Sequence, residues 1–294
     1  MTFAILHQDL EYQEEIIKEE LEKEFNQPVD LLDIREIKKE DLLKYDTIIN
    51  RVFASVANRN YEDNETALEL LTYAENNNIT CLNNLFTTKI DYNKYFAYQT
   101  LKENGILTPE TYFINNTKNI NDAIDFANQY NYPVVLKRNM GGRAEDIFLI
   151  KNKNDLKNKL DDRLSNNNPY KAGYIVQEFV KSTLDHDYRI SIINDKVVFT
   201  NTRSLIPTDS EIKWLASASQ GSKVEKIEAP YEIADIALKT NKTIEAFMNE
   251  IDIIVTEKGP CIIENNPTPN FNPKSETRRA MLALTLNEIK KILK

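Results

Sequence analysis

The chain has 294 residues, 41% of them hydrophobic and 28% charged, with a formal net charge of −9 at pH 7. That length exceeds one ordinary small domain and suits two or three α/β lobes with real cores. The acidity argues against a broad surface for a nucleic-acid backbone, while leaving room for a local basic pocket that holds a nucleotide.

Residues 2–6 are a short apolar run, predicted as a strand. Leu10, Ile16, Ile17, Leu21 and Phe25 then recur at roughly helical spacing among many charges. VDLLDI (29–34) and TIINRVF (47–53) read as further strands, residues 67–73 open a second amphipathic helix, and ITCLN (79–83) is a fourth strand. Strands alternating with helices imply a parallel sheet with helices on its faces. The first strand–helix turn, HQDLEY, has no GxGxxG, so Rossmann-type dinucleotide binding is not expected of this lobe.

A second region begins near Asp91. Residues 92–103 are predicted as a helix closed by Asn104–Gly105, and Pro109 leads into the strand TYFI. Residues 120–130 are a helix, YPVVLKR (132–138) is an apolar strand ending in charge, NMGGRAED is a loop, and IFLIK is a return strand. Residues 152–164 are a polar helix, and SNNNP (165–169) is a linker or loop tip. YIVQEFV, DYRISII and KVVFTNTRSL alternate as an antiparallel sheet does. Residues 231–248 are a long amphipathic helix. IDIIV (251–255) and PCIIENN (260–266) form a hairpin around EKG, and residues 275–293 are a closing helix. No internal repeat is visible.

The N-terminus, MTFAILHQDLEYQEE, has neither a basic start nor a long apolar core and does not read as a signal peptide. No stretch approaches the roughly 18 apolar residues of a membrane span. The two cysteines, Cys81 and Cys261, lie far apart in apolar runs. They have no metal or disulfide spacing and fit buried thiols in a reducing cytoplasm.

Several side chains could carry chemistry. Glu264 and Asn266 lie two apart at a strand end, so they share a face, and Asp252 sits in the partner strand. Such a set offers hard oxygens suited to Mg²⁺ held partly by phosphate, although a solvated strand end has the same composition. Lys137 ends an apolar strand before Gly141 and Gly142, where a lysine can reach phosphates and small residues admit backbone N–H groups. A plain hairpin turn also fits that run. Gln177, Glu178, Phe179 and Val180 close another strand. There, backbone groups can read an adenine and the glutamate can hold a ribose hydroxyl; an ordinary strand end is the other reading. Asp187 and Arg189 share a face, with Arg203 on the next strand. Arginines there would hold a phosphoryl group or a carboxylate, or pair across the sheet. His7 and His186 show no partner pattern.

The order of these stretches resembles the ATP-grasp superfamily. In layout it is most like the ribosomal-protein glutamate ligase branch, with its coenzyme glutamyl ligases and carrier-protein ligases. The resemblance covers about residues 80–272 well and the first lobe by layout alone. NKYFAYQTLKENGILTPETY is similar to the family's opening helix and puts Lys94 at its phosphate-binding lysine. YPVVLKRNMGG places Lys137 at the second lysine, and YIVQEFV is similar to the adenine-reading hinge. DYRISIINDKVV is similar to the Asp-x-Arg strand. TNTRSL puts Arg203 near the acyl-phosphate, and EIDIIV with CIIENNPTPNF resembles the magnesium strands.

The resemblance implies an α/β chain, α+β in its C-terminal half. It would be an ATP-grasp fold with a Rossmann-like first lobe (1–90), a central lobe (91–170) and a C-terminal lobe with the Mg²⁺ site (171–294). The nucleotide would lie between the last two lobes. The implied cofactors are ATP and two Mg²⁺ ions, with Mn²⁺ as a substitute. The implied substrates are a small-molecule or peptide carboxylate and an amine, joined through an acyl-phosphate, with no nucleic acid and no membrane. Members are often dimers or tetramers, which leaves a homo-oligomer open.

Two stretches depart from the pattern. Arg143, Ala144, Glu145 and Asp146 follow Gly-Gly where Gly-x-Gly is usual, with Arg143 as a side-chain donor in compensation. Leu215 and Ser217 align with an arginine and an asparagine. These departures motivate a rival reading, an ATP-grasp protein that binds nucleotide without ligase turnover, against which the intact Asp252, Glu264 and Asn266 set speaks.

Overall fold

The computed structural model describes all residues except 1, 143–144, 166–167, 169, 209–210, 272–274 and 293–294. The proposed role of Arg143, and most of the run 165–169, lie outside the described residues.

The first lobe is a parallel sheet in the order β2–β1–β3–β4. Its strands are β1 (Phe3–His7), β2 (Val29–Asp33), β3 (Thr47–Asn50) and β4 (Thr80–Leu82). Every residue of β1 is buried, as a strand with helices on both faces requires. Phe3 and Ile5 pack with Ile17 and Leu21 of α1 (Tyr12–Phe25), while Leu6 packs with Leu70 and Leu71 of α2 (Tyr61–Asn76). The second helix starts at Tyr61, ahead of the apolar positions that announce it from 67. There the Asn60 side chain caps the Glu62 N–H.

The helix expected over 92–103 is α4 (Lys94–Glu103), which starts two residues later, and a further helix, α3 (Leu85–Tyr92), precedes it. Asn93 between them is extended, and its side chain accepts from the Phe96 N–H, so α4 has its own N-cap. Asn84 caps α3 in the same way through Thr87. This break puts Lys94 at the first position of α4, facing the cleft.

The central sheet is antiparallel, ordered β5–β8–β6–β7. It comprises β5 (Thr111–Ile114), β6 (Val134–Arg138), β7 (Ile147–Ile150) and β8 (Tyr174–Glu178). α5 (Ile120–Asn128) and α6 (Lys153–Arg163) cover one face and share its own core with Val134, Leu136 and Val176. Sheet membership therefore carries the central lobe to Glu178, past the expected boundary at 170.

The last lobe is a sheet ordered β13–β10–β9–β14–β15. Its members are β9 (His186–Ile193), β10 (Lys196–Ser204), β13 (Val224–Ile227), β14 (Met248–Thr256) and β15 (Gly259–Asn266). A small hairpin, β11 (Ile206–Pro207) and β12 (Lys213–Leu215), sits between β10 and β13. α7 (Tyr231–Thr243) ends before the 248 expected, because Met248 already pairs with Ile193 in the sheet. Glu245, at φ 55°, turns the chain back between the two. α8 (Glu276–Ile292) closes the described chain. Its Met281, Leu286 and Ile289 share one core with Phe3 and Ile5 of the first lobe and with Ile193 and Met248 of the last.

Candidate active site

A cavity of about 460 Å³ opens between the three sheets. Every residue singled out from the sequence as a ligand-binding or catalytic candidate lines it: Lys94, Lys137, Gly141, Gly142, Gln177, Glu178, Phe179, Val180, Asp187, Arg189, Arg203, Asp252, Glu264 and Asn266.

Cross-strand register explains the densest part. Asp252 of β14 lies opposite Arg189 of β9 on one side and Glu264 of β15 on the other, and Asp187 lies opposite Arg203 of β10. Opposed positions in an antiparallel pair bring side chains within reach. Arg189 holds Asp252 with both prongs of its fork, Nε at 2.7 Å and Nη2 at 2.8 Å. Arg203 donates to Asp187 through Nε at 3.0 Å and reaches Asp252 through Nη2 at 2.8 Å. Burial alone would raise the Asp252 carboxyl, but the two guanidiniums outweigh it and hold it down at about 2. Burial pushes Asp187 upward against the pull of Arg203.

The lysines occupy the other wall. Lys94 Nζ donates to the Gly141 carbonyl at 2.7 Å and lies 3.2 Å from Glu264 Oε1. Lys137, 6% exposed, donates to the Tyr98 hydroxyl at 2.8 Å, and Tyr98 donates in turn to the Ile263 carbonyl. Burial lowers the Lys137 ammonium, opposed by Glu264 and Asp252. Gly141 adopts φ 123°, which strains any side chain, and a Cβ there would also press on Asn58 Oδ1 at 3.0 Å. The loop's carboxylates Glu145 and Asp146 are already engaged. Arg138 bonds Asp146 at 2.9 Å and Glu145 at 3.0 Å, and Asn58 of the first lobe bonds both Arg138 and Glu145.

Gln177 donates to the Thr111 hydroxyl at 2.9 Å, and the Glu178 N–H bonds the Glu110 carbonyl, which fixes the end of β8. Burial raises the Glu178 carboxyl. Asn266 donates to the Glu250 carbonyl at 3.3 Å. Leu215 and Ser217 line the cavity beside Trp214 and present no charge to it.

Glu250, Arg278, Arg51 and Asp91 also line the cavity and escape a reading of the sequence. Glu250 had a signal, since it lies two before Asp252 on one strand. Arg51, which meets Pro269 across 218 positions, had none. Asp91 accepts from the Ala54 N–H at 3.3 Å and the Thr268 hydroxyl at 3.0 Å. Burial nevertheless pushes its carboxyl up to about 6, against those bonds and nearby Lys94. An acid raised in the folded state adds stability below its unfolded pKa of about 4 and loses it as pH rises through about 6. Asp91→Asn keeps an acceptor without the charge. It should raise unfolding free energy by up to about 3 kcal/mol at pH 8 and by less toward pH 5. Urea melts at both pH values check this; a gain that ignores pH would mean Asp91 does not titrate in that window.

A profile of the RimK-like ATP-grasp domain matches residues 91–289. The chain is 30% identical over 198 residues to the tetrahydromethanopterin:α-L-glutamate ligase of Methanocaldococcus jannaschii, a match covering 67% of this chain and 65% of that protein. It is 28% identical over 205 residues to the α-aminoadipate–LysW ligase LysX of Sulfurisphaera tokodaii, covering 68% and 67%. The matches thus span about two thirds of these relatives' own lengths. In structure the chain is similar to a RimK-domain ATP-grasp protein of Sphaerobacter thermophilus, with a TM-score of 0.69 at 14% identity over 98% of both chains. The domain match runs from the Asp91–Lys94 corner through both lysine-bearing and carboxylate-bearing walls of the cavity and into α8, and on that ground the chain belongs to the RimK-like ATP-grasp family.

Proposed function

We propose that this protein is an ATP-dependent carboxylate–amine ligase. It would form an amide through an acyl-phosphate, adding glutamate or another amino acid to a small molecule or a peptide. The observation that carries the reading is the convergence on one interlobe cleft of two lysines, Arg189 with Arg203, and the oxygen donors of Asp252, Glu264 and Asn266. No histidine or cysteine lines that cleft among the described residues, and burial pushes the nearby Cys261 thiol up to about 12. A route through a phosphorylated substrate needs no protein nucleophile.

Asp252, Glu264 and Asn266 fit Mg²⁺ in donor chemistry. Among the described residues no group of three or more His, Cys, Asp or Glu forms a self-sufficient metal site, so phosphate oxygens and water must complete the shell. When bound, Mg²⁺ (two ions on the family's pattern, replaceable by Mn²⁺) neutralises phosphate charge. Lys94 and Lys137 hold phosphate oxygens, and the Gly141–Gly142 backbone lies against them. Phe179 and Val180 wall the base, with Gln177 and Glu178 fixing the strand end that reads it. Asp187 keeps Arg203 in place.

At rest the cations and anions of the site neutralise each other. With Mg²⁺ bound, Asp252 would be among the residues that hold it, and Arg189 and Arg203, which rest on Asp252 here, would be available to the substrate carboxylate and the phosphoryl group. The carboxylate oxygen bonds the γ-phosphorus as the bond to ADP breaks. The amine nitrogen then bonds the acyl carbon, phosphate leaves, and the amine gives up a proton. Preorganised charge supplies the rate gain.

ADP release from ATP and Mg²⁺ across a panel of carboxylates and amines, with mass spectrometry of the products, tests the reading. A product joined by one amide, made only with both substrates present, is the expected result. Tight ATP binding with no ADP from any pair would leave a nucleotide-binding protein instead. Lys137→Ala should weaken ATP binding about tenfold or more, the scale of a lost charged hydrogen bond. Unchanged affinity would remove Lys137 from the nucleotide site. A cytoplasmic location, which the buried free thiols Cys81 and Cys261 fit, is part of the same proposal. No described helix is long and apolar enough to cross a membrane.

A further inference from the structure

The two strands that carry the metal-type carboxylates are not in simple register. Asp252 of β14 faces Glu264 of β15, yet the next residue, Ile253, faces Ile262, so Ile263 is an extra residue in a β-bulge. Strict alternation would put Glu264 on the face of Ile262, which is packed in the core of the last lobe. The bulge turns the strand, and Ile263 and Glu264 both line the cavity with Asp252. The position of Glu264 therefore depends on how Ile263 is held.

Tyr98 holds it. Lys94 and Tyr98 lie one turn apart on α4 and share a face. Lys94 meets Glu264 directly at 3.2 Å, and the Tyr98 hydroxyl donates to the Ile263 carbonyl. The same hydroxyl oxygen accepts from Lys137 Nζ at 2.8 Å. Nζ lies 5.2 Å from the ring centroid, so it meets the oxygen and not the face of the ring. A phenol has one proton to give, and with that proton on Ile263 its lone pairs are left for the ammonium. Burial pushes the Tyr98 hydroxyl up, which keeps the proton in place. Tyr98 is buried and does not line the cavity, whereas Lys137 and Ile263 do. One hydroxyl thus ties the lysine wall to the carboxylate wall from behind.

We infer that Tyr98 is a positioning residue for the nucleotide site, its hydroxyl setting Lys137 for the phosphates and, through the bulge at Ile263, setting Glu264 for the metal. Lys137 has three donors and gives one to Tyr98, which leaves the others for phosphate oxygens. Removing the hydroxyl would take an acceptor from a buried ammonium and a donor from the Ile263 carbonyl, two groups that it satisfies together. A residue that never touches the nucleotide would then weaken both the lysine's hold on phosphate and the metal's contribution to it. Resting on the ATP and Mg²⁺ part of the ligase reading, this role needs no particular carboxylate or amine.

Calorimetry with a non-hydrolysable ATP analogue, in EDTA and in MgCl₂, tests this on the full chain in wild type, Tyr98→Phe, Lys137→Met and the double variant. In EDTA, Tyr98→Phe should lower affinity about fivefold or more, the scale of a misplaced hydrogen bond to a charged group. Lys137→Met should lower it further, and Tyr98→Phe should then add less than about twofold on that background, because the two act through one contact. The gain in affinity on adding Mg²⁺ should shrink about threefold or more in Tyr98→Phe and hold in Lys137→Met. In turnover, the KM for ATP should rise in Tyr98→Phe while those of the carboxylate and the amine stay within about twofold. Losses that simply multiply in the double variant would mark a general structural effect and overturn the role. A Tyr98→Phe variant with wild-type affinity in EDTA, or with a wild-type gain from Mg²⁺, would overturn it too. Wild type that binds the analogue but forms no amide would end the ligase reading and leave the role of Tyr98 standing; wild type that binds none would end both. Should Tyr98→Phe unfold, the double variant lacks the buried cation as well, and its gain from Mg²⁺ should be smaller than that of Lys137→Met; an equal gain would overturn the role.

Discussion

Glu264→Ala should abolish ATP turnover, by about 10³-fold or more, with the fold intact. A metal ligand stabilises the phosphoryl-transfer transition state by several kcal/mol, and each 1.36 kcal/mol is a factor of about ten. The stability cost should be small, because the Glu264 side chain is 28% exposed and pairs with Lys94 at 3.2 Å. Pairs of that kind contribute about 1 kcal/mol or less. Asp252 would be a poorer probe. Its removal strands Arg189 and Arg203, both held by it, so loss of activity and loss of structure would coincide. The measurement is ADP release at saturating ATP and MgCl₂, beside a thermal melt. Undiminished turnover would take Glu264 out of the metal set.

The second large effect concerns stability. Arg51→Met should cost about 3–5 kcal/mol, because breaking a buried pair leaves an uncompensated charge behind. Arg51 is 1% exposed at its side chain and Glu14, its partner at 3.2 Å, is 2% exposed. The guanidinium also donates to Gln13 at 3.2 Å and to the Pro269 carbonyl at 3.2 Å, and it lies over the Phe271 ring. A domain of ordinary stability, about 5–15 kcal/mol, would lose much of its margin. Arg51→Met with Glu14→Gln removes both charges and should recover most of the loss. Urea unfolding of wild type, single and double variants measures this. A single-variant cost below about 1 kcal/mol would show that water reaches Glu14.

The sequence made the site more legible than the elements that carry it. Period-two spacing placed Glu264 with Asn266 and Asp187 with Arg189, and antiparallel pairing then brought both sets to Asp252. What spacing cannot convey is pairing state. Arg189 and Arg203 read as substrate ligands, and in the protein both rest on Asp252. The loop after Gly142 read as too charged, yet Glu145 and Asp146 are neutralised by Arg138, which sits on the preceding strand. Helix ends were misread where asparagines set them. Asn93 delays the helix expected from 92 until Lys94, because its side chain offers the backbone a cap. Arg278 and Arg51 reach the cavity only through packing of distant segments, and no local pattern encodes that.

The core shared by Phe3, Ile5, Ile193, Met248 and α8 has a consequence for how the chain comes apart. Residues 3–82 and 186–292 bury their apolar faces against each other, so neither keeps a complete interior alone. They should melt and exchange amide hydrogens as one cooperative block. The central lobe keeps an interior of its own. A truncation that begins at residue 91 would therefore remove half of the wall against which α8 folds, and the excised remainder would expose Met281, Leu286 and Ile289 to water. The natural place to divide this molecule lies on either side of the central lobe, and not after the first ninety residues.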